Sequence, residues 1–365
     1  MSGPRPNPWL ETLDVYEGGK SSAAGVARVV KLSSNESPFG ASPKAIEAYR
    51  EAASTLHRYP DASSAALKDA IGEIHGIDPK RIVCGLGSDE ILKLVCRAYA
   101  GPDTEVLYSR HGFMMYPIAA RGVGATPIEV ADRDLVADVD ALLAAVTERT
   151  RVLFLANPNN PTGTYLPRAE VERLAASLPP HVVLVLDAAY CEYVEAEDYT
   201  PGLDLVDRFP NIVVTQTFSK IYGLAALRLG WGYGAAPVIS MLDRLRDPFN
   251  ISSPAQAAGI AALHDQDFVA MARRHNSQWL PWLAAEVRKL GLEPVPSVAN
   301  FLLMRFPGGN AMAAAANDYL TRHGYILRWL PKQGLGDCLR MTVGLEEDNR
   351  AVIELLARFL SETRP

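Results

Sequence analysis

The sequence predicts an α/β fold, with a mostly parallel central sheet covered by helices on both faces and a smaller α/β unit following it. Three observations predict it. Short apolar runs recur between residues 42 and 250, with helical patterns between them. Alternation of that kind produces parallel strands joined by helical crossovers, which place helices on both faces. The pattern then changes at Pro254, where a long helical stretch runs to about Leu290 before strands return. Finally, the first forty residues are rich in Gly, Pro and Ser and read as an extended arm. The expected division is an arm at 1–41 contributing to the small unit, a large unit at 42–250 and a small unit at 251–365.

The strands of the large unit are read in order as Arg81 to Cys84, Thr104 to Tyr108, Val152 to Leu155, Val182 to Leu186 and Ile212 to Thr215. Each is too short for a helix and mostly apolar, as a strand buried on both faces should be. Periodic segments such as Asp89 to Tyr99 and Ala141 to Thr147 read as helices between them. In the small unit, Asn300 to Met304, Tyr325 to Leu327 and Leu339 to Val343 read as strands. A last helix follows Gly344, with acidic residues in its first turn where the helix dipole favours them.

Composition narrows the class. The chain has 365 residues, 48% hydrophobic, enough for large cores and contrary to disorder. A net charge of -6 with no lysine/arginine block gives no nucleic-acid surface. The opening Met1 to Pro8 has no apolar core and does not read as a signal peptide, and no run reaches the ~18 residues of a membrane span. Cys84, Cys96, Cys191 and Cys338 form no CxxC pair and read as reduced thiols of a cytoplasmic enzyme. The seven histidines include no HxxxH or HExxH arrangement, so no metal is expected.

The chemistry gathers at strand ends, where ligands of such sheets bind. Lys220 follows the Ile212–Thr215 run, and its amine could hold an aldehyde cofactor as a Schiff base and then shuttle protons. A lysine in that place is otherwise a solvated surface residue. Asp187 ends an apolar run, where an unpaired carboxylate is costly. A protonated pyridinium nitrogen would pair with it; capping a loop or helix is the plain alternative. Tyr190 and Asn160 would reach the cofactor's phenolic oxygen, although Asn157 to Gly163 is also an ordinary turn composition. Gly87, Ser88 and Asp89 open a helix after a strand, a place where backbone N–H groups bind phosphate, while Ser88 could be a simple N-cap. Thr217, Ser219 and Arg228 add hydroxyl and guanidinium donors for the same phosphate. Phe113 could stack on a cofactor ring or merely fill a core. Together these residues point to pyridoxal 5'-phosphate (PLP). A nicotinamide cofactor fits less well, because Glu90 stands where a dinucleotide motif has its third glycine.

With these residues assembled, the chain resembles the fold-type I PLP aminotransferases, a three-layer fold, and among them the histidinol-phosphate aminotransferase family. The resemblance runs through Leu32 to Gly40, His57 to Pro60, Gly87 to Glu90, Asn157 to Gly163, Leu186 to Tyr190, Thr217 to Gly230, Pro248 to Asn250 and Leu339 to Gly344. It implies a homodimer with shared sites, in which Tyr59 reaches the neighbouring subunit's PLP phosphate. It implies that Arg340, helped by Arg328, binds the substrate's anionic group, and that Tyr16 and Asn35 close over the substrate. Two departures stand out. Asn35-Glu36-Ser37 replaces the family's Asn-Glu-Asn, and Lys332 to Gly336 replaces a Tyr-Gly-Leu-Pro stretch.

The implied reaction is a ping-pong transamination of L-histidinol phosphate with 2-oxoglutarate, giving imidazole acetol phosphate and L-glutamate, a step of histidine biosynthesis. Lys220, Asp187 and Tyr190 would be catalytic. The partners are then a small amino donor and a 2-oxo acid, with no nucleic acid and no membrane. The alternatives are an aromatic amino acid aminotransferase, a PLP-dependent decarboxylase of a phosphorylated amino acid, a nicotinamide-dependent oxidoreductase, and a non-catalytic protein of the PLP fold. The last would be expected to have lost Lys220 or Asp187.

Overall fold

In the computed structural model, side chains along the central strands divide by parity between two cores. The structure describes residues 3–13, 18, 22, 25–26 and 28–363. In chain order the strands are β1 (Val30–Lys31), β2 (Ile82–Leu86), β3 (Glu105–Ser109), β4 (Thr126–Val130), β5 (Thr150–Ala156), β6 (Val183–Asp187), β7 (Ile212–Thr217) and β8 (Leu229–Gly234). The later strands are β9 (Glu293–Pro294), β10 (Phe301–Arg305), β11 (Tyr325–Ile326), β12 (Arg328–Leu330) and β13 (Leu335–Thr342). Ile82, Leu153, Leu155, Leu184, Leu186, Ile212 and Val214 face one core; Val83, Val152, Phe154, Val183, Val185 and Val213 face the other. That is the period of two expected of a sheet buried on both sides. Each fully buried Val or Leu contributes about 1.5–3 kcal/mol.

Seven strands make the large sheet, in the order β2-β8-β7-β6-β5-β3-β4. All neighbours are parallel except β8, which runs antiparallel to β2 and β7. Helices α1 (Pro43–Ala52) and α2 (Ala65–His75) pack on one face. The other face carries α3 (Ser88–Tyr99) and α4 (Met115–Gly122). Short α5 (Val139–Ala144) and α6 (Arg168–Ser177) join the first face, and α7 (Ala236–Leu245) joins the second.

Two strands of the large sheet differ from the sequence reading. Strand β4 carries only one buried residue, Val130, so its apolar signal is faint. Strand β8 reads Leu-Gly-Trp-Gly-Tyr-Gly, and glycines usually weaken a strand. Here they are needed, because a Cβ on Gly230 would lie 2.3 Å from the Ser88 backbone nitrogen and 3.0 Å from the Gln216 carbonyl oxygen. The missing side chain lets the start of α3 sit directly on the sheet.

The long helix expected from Pro254 is two helices, α8 (Ser253–His264) and α9 (Gln266–Lys289). Asp265 breaks them with φ -91° and ψ 62°, and its carboxylate pairs with Lys44 at 3.0 Å. Ala255, Ala258, Ala262 and Leu263 of α8 join the large-sheet core. The small sheet therefore begins only beyond α9. Its strands run β12-β13-β10-β9, all antiparallel. One face is covered by α9, α10 (Gly309–Arg322) and α11 (Glu346–Thr363). The arm joins this layer through β1, which pairs in parallel with β11. Among the described residues no helix is long and apolar enough to cross a membrane.

Candidate active site

Strands β6 and β7 end side by side, and their last residues face a cavity of about 370 Å³. That is within the usual range for a small-molecule site. Asp187, the last residue of β6, is 5% exposed. Burial pushes its carboxyl up to about 6, against hydrogen bonds from Tyr116 and Thr215 that pull it down. The Tyr116 hydroxyl donates to Oδ2 at 2.9 Å and the Thr215 hydroxyl to Oδ1 at 3.3 Å. Lys220 follows β7, and its Nζ donates to the Ser34 carbonyl at 3.3 Å, 5.5 Å from the Tyr190 ring centre.

A second cluster sits where α3 starts. Gly87 is the N-cap residue, with φ 76° and no side chain to satisfy the helix's first N–H groups. Ser88 is therefore the first helical residue and not the cap. A Cβ on Gly87 would stand 2.6 Å from the Arg228 guanidinium. Arg228 itself is held at φ 51°, donating to Ser219 Oγ at 3.3 Å and to Asp89 Oδ2 at 3.3 Å. Thr217 Oγ1 donates to Ser219 Oγ at 3.0 Å. Glu90 closes the turn: its carboxylate accepts from the Leu86 N–H and the Asn250 amide. The result is a nest of hydroxyl, guanidinium and helix N–H donors, and this set fits a phosphate monoester. Asp89 accepts from Arg228 and so fixes the direction of its guanidinium.

The Asn157 to Gly163 turn divides its three asparagines. Asn157 exchanges two hydrogen bonds with the Leu166 backbone, and the Asn159 amide donates to Thr162 and to the His111 carbonyl. Only Asn160 lines the cavity, where its Oδ1 accepts from Arg340.

The other end of the cavity comes from the arm and the small sheet. On β13, Leu339 and Met341 point into the helix-covered core, so Arg340 and Thr342 point the other way. Arg340 is 7% exposed and donates to the Ser33 carbonyl at 2.7 Å. Three successive arm residues thus meet three site residues: Ser33 holds Arg340, Ser34 holds Lys220, and the Asn35 amide donates to the Tyr190 hydroxyl at 2.8 Å. Asn35 takes φ 57° to do so, and its N–H donates to Thr342 Oγ1 at 2.9 Å. Arg328, Leu330, Gln333 and Lys31 complete this end.

Of the residues expected at the site, Asp187, Tyr190, Lys220, Thr217, Ser219, Arg228, Ser88, Asp89, Phe113, Asn160, Asn35, Arg328 and Arg340 all line one cavity, with Gly87 against Arg228. Tyr59 does not: it is 83% exposed and stacks on Phe249 at 4.7 Å. Tyr16 lies outside the described residues. Sequence reasoning missed Tyr116, which holds Asp187 from α4. Its signal was there, an aromatic three residues after Phe113 in the first turn of α4, but a tyrosine among Met and Ala reads as core. It also missed Gln333, which brings the departure at Lys332 to Gly336 to the cavity wall.

The buried Asp187 carboxylate, the Lys220 amine and the nest of donors fit PLP. Comparison with known proteins agrees with this geometry. The aminotransferase class I and II family matches residues 27–356. The chain is 52% identical over 361 residues to a histidinol-phosphate aminotransferase from Paramagnetospirillum magneticum, covering 99% of each chain. A crystal structure of histidinol-phosphate aminotransferase from Sinorhizobium meliloti in complex with pyridoxal-5'-phosphate superposes with a TM-score of 0.91 at 29% identity, over 100% of this chain and 99% of that one. An L-threonine-O-3-phosphate decarboxylase from Porphyromonas gingivalis, at 22% identity, a TM-score of 0.79 and coverage of 91% and 100%, shares the fold.

Proposed function

The chain belongs to the aminotransferase class I and II family, and on that premise we propose that it catalyses PLP-dependent transamination of L-histidinol phosphate with 2-oxoglutarate. The observation that carries the reading is that one cavity holds Lys220, Asp187 and the phosphate nest at one end and two arginines, Arg328 and Arg340, at the other. Histidinol-phosphate aminotransferases about half identical along the whole chain support the substrate.

When bound, PLP supplies an electron sink for negative charge developing at the substrate's α-carbon. The chain's residues do the rest. Ser88, Thr217, Ser219 and Arg228 would hold the phosphate, and Asp187 would face the ring nitrogen as an anion. Tyr190 and Asn160 would hydrogen-bond the phenolic oxygen, with Phe113 against the ring. Lys220 Nζ would hold the aldehyde carbon before the amine arrives, then carry the proton taken from the α-carbon. Arg340 and Arg328 suit the substrate phosphate of one half-reaction and the distal carboxylate of the other, since a guanidinium binds either in a fork. The large unit, 42–250 extended by α8, would carry the cofactor, and the rest of the unit expected at 251–365, with the arm, would close the substrate end.

The active form in this reading is a cytoplasmic homodimer. Tyr59, Phe249 and Leu56 are 83%, 42% and 69% exposed, apolar surface that a second subunit would cover while Tyr59 reaches its PLP phosphate. Four free cysteines agree with a reducing compartment.

A half-reaction screen tests the substrate. PLP-loaded protein is mixed in turn with histidinol phosphate, phenylalanine, tyrosine and glutamate, and the visible cofactor band is followed. Histidinol phosphate and glutamate should discharge it fastest. Fast phenylalanine with inert histidinol phosphate would make the enzyme an aromatic aminotransferase, and released carbon dioxide a decarboxylase.

A further inference from the structure

Asp187 must be an anion to pair with a cationic ring, yet its surroundings work against that. It is the buried end of a strand whose four preceding residues are all apolar and buried. Asp89 on α3 adds a second negative charge nearby. Burial keeps the nearby Tyr199 phenol protonated, so it brings only a neutral hydroxyl to this region. Three donors oppose this: the Thr215 hydroxyl at 3.3 Å, the Ala189 backbone N–H, and the Tyr116 hydroxyl at 2.9 Å, the shorter of the two side-chain contacts.

Tyr116 is built to hold that contact. It is 0% exposed, its ring stacks on Phe154 at 4.6 Å with planes 5° apart, and Phe113 meets it edge-on at 5.9 Å. The ring is therefore fixed from two sides. Its phenol is pushed well above the ordinary range by burial and by Asp187, so it stays a neutral O–H donor. Each carboxylate oxygen accepts two hydrogen bonds. The contacts from Tyr116 and Thr215 therefore leave acceptor capacity on the side of Asp187 that lines the cavity.

We propose that Tyr116 is a positioning residue, whose hydroxyl keeps the Asp187 carboxylate ionised and turned toward the cavity. The proposal rests on the PLP reading of the same cavity. It deepens that reading by naming the group that prepares Asp187 before the cofactor arrives. A hydrogen bond to a charged group is stronger than one between neutral groups, and here a low-dielectric site sharpens the difference. Removing it favours the protonated acid, which has no attraction for a cationic ring.

The test is Tyr116→Phe, which keeps the ring stack and removes one oxygen. In the cofactor-free protein, carboxyl-carbon NMR should show Asp187 titrating at a higher pH than in the wild type. Equilibrium dialysis should show PLP bound about tenfold more weakly. In an Asp187→Asn background the same substitution should leave PLP affinity unchanged, because the charge it supports is gone. Thermal unfolding of each variant separates loss of packing from loss of the hydroxyl. An unshifted Asp187 titration in a folded Tyr116→Phe protein would overturn the proposal, as would an equal loss of PLP affinity in both backgrounds. If the wild type binds no PLP, the PLP reading fails while the carboxyl titration still decides whether Tyr116 controls Asp187.

Discussion

The two ends of the cavity are built differently. The cofactor end stands on the large sheet: Asp187 and Thr217 are the last residues of adjacent parallel strands, Lys220 and Ser219 follow directly, and Ser88 starts the helix that β8 holds in place. The substrate end has no such foundation. Arg340 reaches Ser33 across 307 residues of chain and Asn160 across 180. It is assembled from an arm, a turn and the adjacent strands β12 and β13 of the small sheet. On the proposed reading, the lesson is that reaction chemistry sits on adjacent sheet strands, while substrate choice is left to segments whose relative placement depends on long-range packing.

The sharpest way to break this comparison is Lys220→Ala. It should lower turnover at least about a thousandfold for every amino donor alike, because the proton carrier is common to all of them. Steady-state rates with histidinol phosphate and glutamate check this; a loss confined to one donor would erase the distinction between the ends.

Arg340→Ala probes the other end. Removing one partner of a buried charge-assisted contact costs about 2–5 kcal/mol. That loss should appear in kcat/KM for anionic donors, with PLP affinity by dialysis close to wild type. A large fall in PLP affinity would mean the two ends are one unit.

The cofactor end should also carry a cost that the substrate end does not. Asp187 is raised from its ordinary value to about 6, so the cofactor-free fold is most stable below pH 4 with respect to this group and loses stability as pH rises to about 6. The loss is about 3 kcal/mol. Glu192, pushed up to about 7 by burial, adds a similar slope slightly higher. Asp187→Asn should remove the first contribution and leave the second. Urea unfolding of the cofactor-free proteins between pH 4 and 8 measures the difference, and identical slopes would sink the assignment.

The smallest effect lies where the ends meet. Asn35→Ala removes the hydrogen bond to Tyr190 and places a side chain with no local polar partner at φ 57°. A cost of about 1–2 kcal/mol is expected in thermal unfolding. KM should rise more than kcat falls if the arm chiefly closes the substrate end.

Much of this was legible before any coordinates. The runs ending in Asp187 and Thr215 are apolar and short, so strand, sheet and crevice followed from periodicity. Lys220, Ser219 and Arg228 lie within nine residues of one another, so their cluster followed from chain proximity. Strand β8 was hidden, because its glycines are dictated by the closeness of α3, a fact external to the segment. Tyr116 was hidden for a related reason. Its polar atom matters only because Asp187 lies across the sheet face, 71 residues away.

The sequence by itself determined five of the seven large-sheet strands, the cofactor chemistry and the identity of many lining residues, because these depend on local periodicity and on residue types that few reactions use. Tertiary structure alone decided what holds the other two asparagines of the turn, Asn157 on the Leu166 backbone and Asn159 on Thr162 and the His111 carbonyl. It alone turned Arg340 inward by the parity of β13, and set an arm residue against each of Arg340, Lys220 and Tyr190. Those choices depend on packing between segments hundreds of residues apart, which no local pattern encodes.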